Sequence, residues 1–195
     1  MRRMLGFLCL ILLAAGGCGR AAAGPGDAGR GVAPSPTGTA APNSERAAIY
    51  AAVLRQYLTT SDHSFGDGHR FPVAYVLERP DPNAAQAIAP PAGGEPLTPL
   101  PAAEQAQILA ALADLGRVEF IADKHDVLES VDRCAQVKND GVMILLAPPV
   151  GDGKRVEVGI HGYVACLGAT WFTYVVEQGT GGWAVTGKTG PMAIA

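Results

Sequence analysis

From Arg155 to Cys166 the chain alternates strictly. Val156, Val158, Ile160, Val164 and Cys166 fall on one side, and Arg155, Glu157, His161 and Tyr163 on the other. A period of two is the mark of a half-buried strand. Phe172, Tyr174 and Val176 continue the apolar set over Thr170–Gln178, and a Gly179–Gly182 loop leads to a strand carrying Trp183 and Val185. Keeping both apolar sets on one face calls for an odd-length hairpin loop, which Gly168-Ala169-Thr170 supplies with Cys166 opposite Phe172. In that register His161 pairs with Glu177, Tyr163 with Val175 and Ala165 with Thr173, with Trp171 beside them.

Upstream the period changes. Ile49, Tyr50, Val53, Leu54, Tyr57 and Leu58 recur at three-to-four spacing, so Ser44 to about Thr59 reads as an amphipathic helix. Ser44 or Asn43 is its N-cap, and Glu45 is favourable in the first turn. A polar loop, Thr60–Arg70, leads to a strand at Val73–Glu78; the Pro-rich stretch Arg79–Pro101 then crosses the surface. A second helix runs from Pro101 to Leu115, buries Ile108, Leu109, Leu112 and Leu115, and stops at Gly116. A strand at Arg117–Ala122, an irregular charged segment from Asp123 to Lys138, an Asn139-Asp140-Gly141 turn and a fully apolar strand at Val142–Ala147 complete the pattern. The sum is an α+β domain over residues 45–195, two helices packed on a largely antiparallel sheet ending in a β-meander.

The first 44 residues have neither period. Met1-Arg2-Arg3 precedes an apolar stretch, Leu5–Ala15, which as a helix rises only about 16 Å, roughly half a hydrocarbon core. This reads as a signal peptide over residues 1–17. Ala15-Gly16-Gly17-Cys18 resembles a bacterial lipobox, which implies that Cys18 is acylated and becomes the first residue of the mature chain. The alternative is ordinary cleavage after Ala23, releasing a soluble protein. After Cys18, 21 of the 26 residues from 19 to 44 are Gly, Ala, Pro, Ser or Thr. Such a segment buries too little apolar surface to offset its ordering entropy, so 18–44 is expected to be a flexible tether of roughly 28 Å root-mean-square span.

Charge narrows the partners. The whole chain carries a net −3, and residues 45–195 hold 11 Lys and Arg against 17 Asp and Glu. That balance excludes non-specific attraction to nucleic acid. With Cys9 in the signal peptide and Cys18 lipidated, Cys134 and Cys166 remain, and outside the cytoplasmic membrane a disulfide between them is the favoured state. Buried free thiols, or a nucleophilic Cys with a His base, are the other readings.

Two groups of side chains have chemistry to offer. His161, Tyr163, Trp171 and Glu177 form a candidate interaction surface, where His161 with Glu177 would serve as a general base if the domain were a hydrolase-like enzyme. Asp62, His63, Asp67 and His69 are zinc or manganese ligand types within eight residues, but a solvated polar loop is the simpler account. No metal or other cofactor is expected. Gly179-Thr180-Gly181-Gly182 and Gly187-Lys188-Thr189-Gly190 lack a phosphate loop's strand–loop–helix setting.

The stretch from Asn139-Asp140-Gly141 through Gly162–Thr170 to Gly182-Trp183-Ala184-Val185-Thr186-Gly187 resembles uncharacterised secreted or lipid-anchored proteins of actinobacteria. That resemblance implies export and fold and carries no activity. The layout itself resembles cystatin-like and nuclear-transport-factor-like rolls. The expectation is a bacterial lipoprotein of the cell envelope, anchored on the outer side of the cytoplasmic membrane. Its domain would bind a protein or small molecule, or alternatively act as an enzyme through His161 and Glu177 or a metal in the His63/His69 loop.

Overall fold

The computed structural model describes residues 44–66, 68–88 and 97–195. Cys18, the expected signal peptide, the expected tether up to residue 43, and Asp67 lie outside them. The first helix, α1, spans Glu45–Thr59, with the Ser44 hydroxyl accepting from the Ala47 N–H as cap. All six residues of its expected apolar stripe turn inward, five fully buried and Leu58 partly. After strand β1 (Val73–Leu77) comes α2, Ala102–Ala111, shorter than its pattern suggested. The Leu112 N–H turns back to both the Ile108 and Leu109 carbonyls, which tightens and ends the last turn. Gly116, at φ +100°, then sends the chain into β2, Arg117–Ile121.

The sheet is completed by β5 (Val142–Leu146), β6 (Val150–Asp152), β7 (Arg155–Ala165), β8 (Gly168–Gly179) and β9 (Gly182–Ile194). Its order is β2-β1-β5-β7-β8-β9, with β6 alongside the start of β7. The β1–β2 and β1–β5 pairs are parallel and the remaining pairs antiparallel, so the fold is α+β with a terminal meander. The helices cover one face. Ala74 and Val76 of β1, Val142, Ile144 and Leu146 of β5, Ile160 of β7 and Phe172, Tyr174 and Val176 of β8 pack there against Tyr50, Val53, Leu54 and Tyr57. Tyr50 donates its hydroxyl proton to the Ala147 carbonyl, and Tyr57 shares a 2.9 Å hydrogen bond with Thr170.

The segment from Asp123 to Lys138, read as irregular, is ordered. A short 3-10 turn at Lys124–Asp126 leads into a hairpin of β3 (Leu128–Val131) and β4 (Cys134–Val137). Its two-residue turn, Asp132-Arg133, has both φ angles positive, the twist that suits a tight hairpin, supplied here without glycine. Val127, Leu128 and Val137 pack on Val73, Tyr75 and Met143, forming a second, smaller core on the sheet face away from the helices.

Candidate functional site

The outer face of the sheet is built by register. Tyr75 of β1 lies beside Met143 of β5, which faces Tyr163 of β7, and Leu145 faces His161. His161 in turn faces Trp171 of β8, and the two rings stack with centroids 4.7 Å apart and planes within 17°. The expected His161–Glu177 pair does not form. Glu177 faces Arg155 and makes an ion pair with it at the far end of the hairpin. Tyr163 faces Ala169 rather than Val175, and Ala165 faces Gly168 rather than Thr173.

The discrepancy has two sources, an earlier turn and one extra residue. Between the Tyr163–Ala169 and Ala165–Gly168 pairs β7 advances two residues and β8 one, so Val164 is a bulge. The connection is the tight turn Cys166-Leu167, and Gly168-Ala169-Thr170 belong to β8. The bulge also reverses the alternation. Val164 still packs toward the helix-side core, but Cys166 leaves the inner set and bonds to Cys134 on β4, with Cα atoms 5.6 Å apart. The disulfide removes a Cys–His dyad from consideration. The Cys166 N–H points at the Cys134 sulfur (3.0 Å), and Tyr163 donates its hydroxyl proton to the Ala135 carbonyl (2.7 Å), so three ties hold β4 over the end of β7.

The cover of this face beside Tyr163 is therefore the β3–β4 hairpin, and the Pro-rich crossing contributes as well. The described part of that crossing meets the sheet further along, where Ala85 sits over Gly159 close enough that a β-carbon on the glycine would lie 3.0 Å from it. Between hairpin and sheet remains a recess of about 260 Å³, walled by the apolar side chains of Leu77, Leu128, Met143 and Leu145. Its polar groups are Lys124, His161 and Tyr163. The His161 Nε2 is buried and has no hydrogen-bond partner among the described residues. A wider depression beside Asp152, Lys154, Arg155 and Glu177 is a shallow, open surface whose Arg155 and Glu177 already pair with each other.

Burial holds the His161 imidazole down at about 4, with the Lys124 ammonium acting in the same direction. The unfolded chain takes up this proton near 6.5. Between those values the unfolded state binds more protons than the folded one, so stability falls as the pH drops from 6.5 toward 4 and is complete above 6.5. We expect urea unfolding to show a loss of about 2–3 kcal/mol over that window, and His161→Gln to flatten it. A variant with the same acid limb as the parent would assign that loss to other groups.

The Asp62/His63/His69 loop has a different use. Asp62 accepts a 2.6 Å hydrogen bond from Tyr174 and forms an ion pair with Lys188, whose ammonium also lies 4.9 Å over the Phe172 ring. Burial pushes the Asp62 carboxyl up, but the hydrogen bonds from Lys188 and Tyr174 outweigh it and bring it below the usual value. His63 is buried among Tyr57, Phe65, His69 and Phe71, and its Nδ1 accepts the Phe65 N–H. No three metal-ligating side chains converge among the described residues.

Sequence reasoning placed His161, Tyr163 and Trp171 on one face, as the structure does, but it missed Lys124 and the apolar walls. A signal was present. Val142–Ala147 is apolar at every position, and a strand apolar on both faces needs cover on both. No protein-family model matches the chain, and no curated protein or solved structure is detectably similar to it. Among the described residues no helix is long and apolar enough to cross a membrane.

Proposed function

We propose that this protein is an exported, lipid-anchored component of a bacterial cell envelope whose α+β domain is a binding module, with the recess under the β3–β4 hairpin as its ligand site. The observation that carries the binding reading is the recess itself, walled by Leu77, Leu128, Met143 and Leu145 with Lys124 and His161 in its lining. Stacking on Trp171 orients the imidazole. The Cys134–Cys166 disulfide supports an oxidising compartment, as export requires.

The recess is tested with a neutral apolar probe of matching size. Toluene titrated into the full chain is expected to shift the Met143 and Leu145 methyl resonances saturably, and Leu145→Trp, which fills the space, to abolish the shift. A linear, non-saturating drift in the parent would overturn the binding reading. For the address, the intact mass of the membrane fraction is expected to correspond to a chain beginning at acylated Cys18; an unprocessed N-terminus would refute it.

A further inference from the structure

We infer that the recess takes a small monocarboxylate with a compact apolar body, the carboxylate meeting Lys124 and the body lying among Leu77, Leu128, Met143 and Leu145. This rests on the reading of the recess as a ligand site and names the class of ligand. Size comes first. At about 30 Å³ per water in the liquid, a 260 Å³ space holds roughly nine waters, or a ligand of about ten non-hydrogen atoms.

Charge decides the polar group. Lys124, an exposed side chain, lines the recess and makes no ion pair among the described residues. An unpaired ammonium beside apolar walls favours an anion and disfavours a cation. A single ammonium suits a single negative charge. A phosphate dianion is ordinarily met by several cations or by a cradle of backbone N–H groups, and the nearest turn of that kind, Lys124–Asp126, is already capped by Asp123, which accepts the His125 N–H at 2.9 Å. Lys124 and His161 both line this one space. Lys124 holds the carboxylate, and the His161 ring forms part of the wall beside it. The Tyr163 hydroxyl is engaged with the Ala135 carbonyl, so the phenol contributes ring surface rather than a donor.

The test compares phenylacetate with phenylacetamide, equal in size and differing in charge, by calorimetric titration of the full chain and by the fluorescence of Trp171, which stacks on His161. Phenylacetate is expected to bind with a Kd of about 1 mM or tighter, and the amide at least ten-fold more weakly. Lys124→Gln is expected to lose this preference while retaining toluene binding, which reports a recess still intact. Leu128→Trp, placed on the hairpin rather than the sheet, is expected to exclude acid and amide alike, and its folding is checked by circular dichroism. Equal binding of acid and amide by the parent overturns the monocarboxylate inference and leaves the recess as a site. Toluene binding without phenylacetate binding does the same, whereas failure of toluene and both test compounds overturns the site itself.

Discussion

Cys134→Ala with Cys166→Ala is expected to lower the unfolding free energy by about 3–4 kcal/mol, the chain-entropy value for a cross-link spanning 32 residues. For a domain of this size that is a fall of roughly 10 °C in Tm. The consequence for the site is larger than the number suggests. The β3–β4 hairpin has two four-residue strands with only Val137 fully buried, and a two-stranded hairpin is at best marginally stable alone. Its other ties to β7 are the Tyr163–Ala135 and Cys166–Cys134 hydrogen bonds and the small core around Val127 and Val137. Without the cross-link, local opening of the hairpin becomes much cheaper than global unfolding. Amide exchange in 127–137 should therefore accelerate more than exchange in β8, and toluene binding should weaken. Uniform acceleration across both segments would mean that the cross-link stabilises the whole domain without specifically fixing the cover.

Gly162→Ala is expected to destabilise the domain by about 3 kcal/mol, although it adds one methyl group. Gly162 lies on the helix-facing side of β7 opposite Thr170, and a β-carbon there would sit 1.8 Å from the Tyr57 hydroxyl oxygen and 2.5 Å from its ring carbon. Tyr57 is fully buried and its hydroxyl bonds to Thr170, so it cannot swing into solvent. Overpacking of a close-packed interior costs about 1–3 kcal/mol, and displacing the phenol adds about 1 kcal/mol for the lost Thr170 bond. Tyr57→Phe removes the worst clash but leaves the ring carbon. The double variant should therefore recover part of the loss, giving a coupling of about 1 kcal/mol in a double-mutant cycle. Strict additivity would show that α1 shifts bodily to make room.

Particular residues show where a local pattern suffices. The three-to-four stripe from Ile49 to Leu58 identified α1 and its buried face because helical periodicity is a property of neighbours along the chain. The alternation over β7 and β8 likewise identified Ile160, Phe172 and Tyr174 as inner residues and His161 and Trp171 as outer ones. The partners of those residues were harder to read. A hairpin register depends on the total count of residues through its turn, so a turn at Cys166-Leu167 instead of Gly168–Thr170, together with the bulged Val164, moved every expected pair: Glu177 went to Arg155 and Trp171 came to His161.

The sequence by itself determined the two helices, most strands of the main sheet though not β6 or the second half of β9, most of the residues that face the helix-side core, and that Cys134 and Cys166 were the pair available to bond. Each of these follows from spacing or composition within a short stretch of chain. Only the tertiary structure decided what covers the second face and what is left unfilled beneath it. The hairpin at 128–137 has a weak pattern of its own and is held by a distant sulfur, a distant phenol and a few apolar contacts, and the recess arises from the imperfect fit of that cover. A gap between elements far apart in the chain leaves no periodicity in either, because it is set by the balance of packing and cross-linking after both have formed.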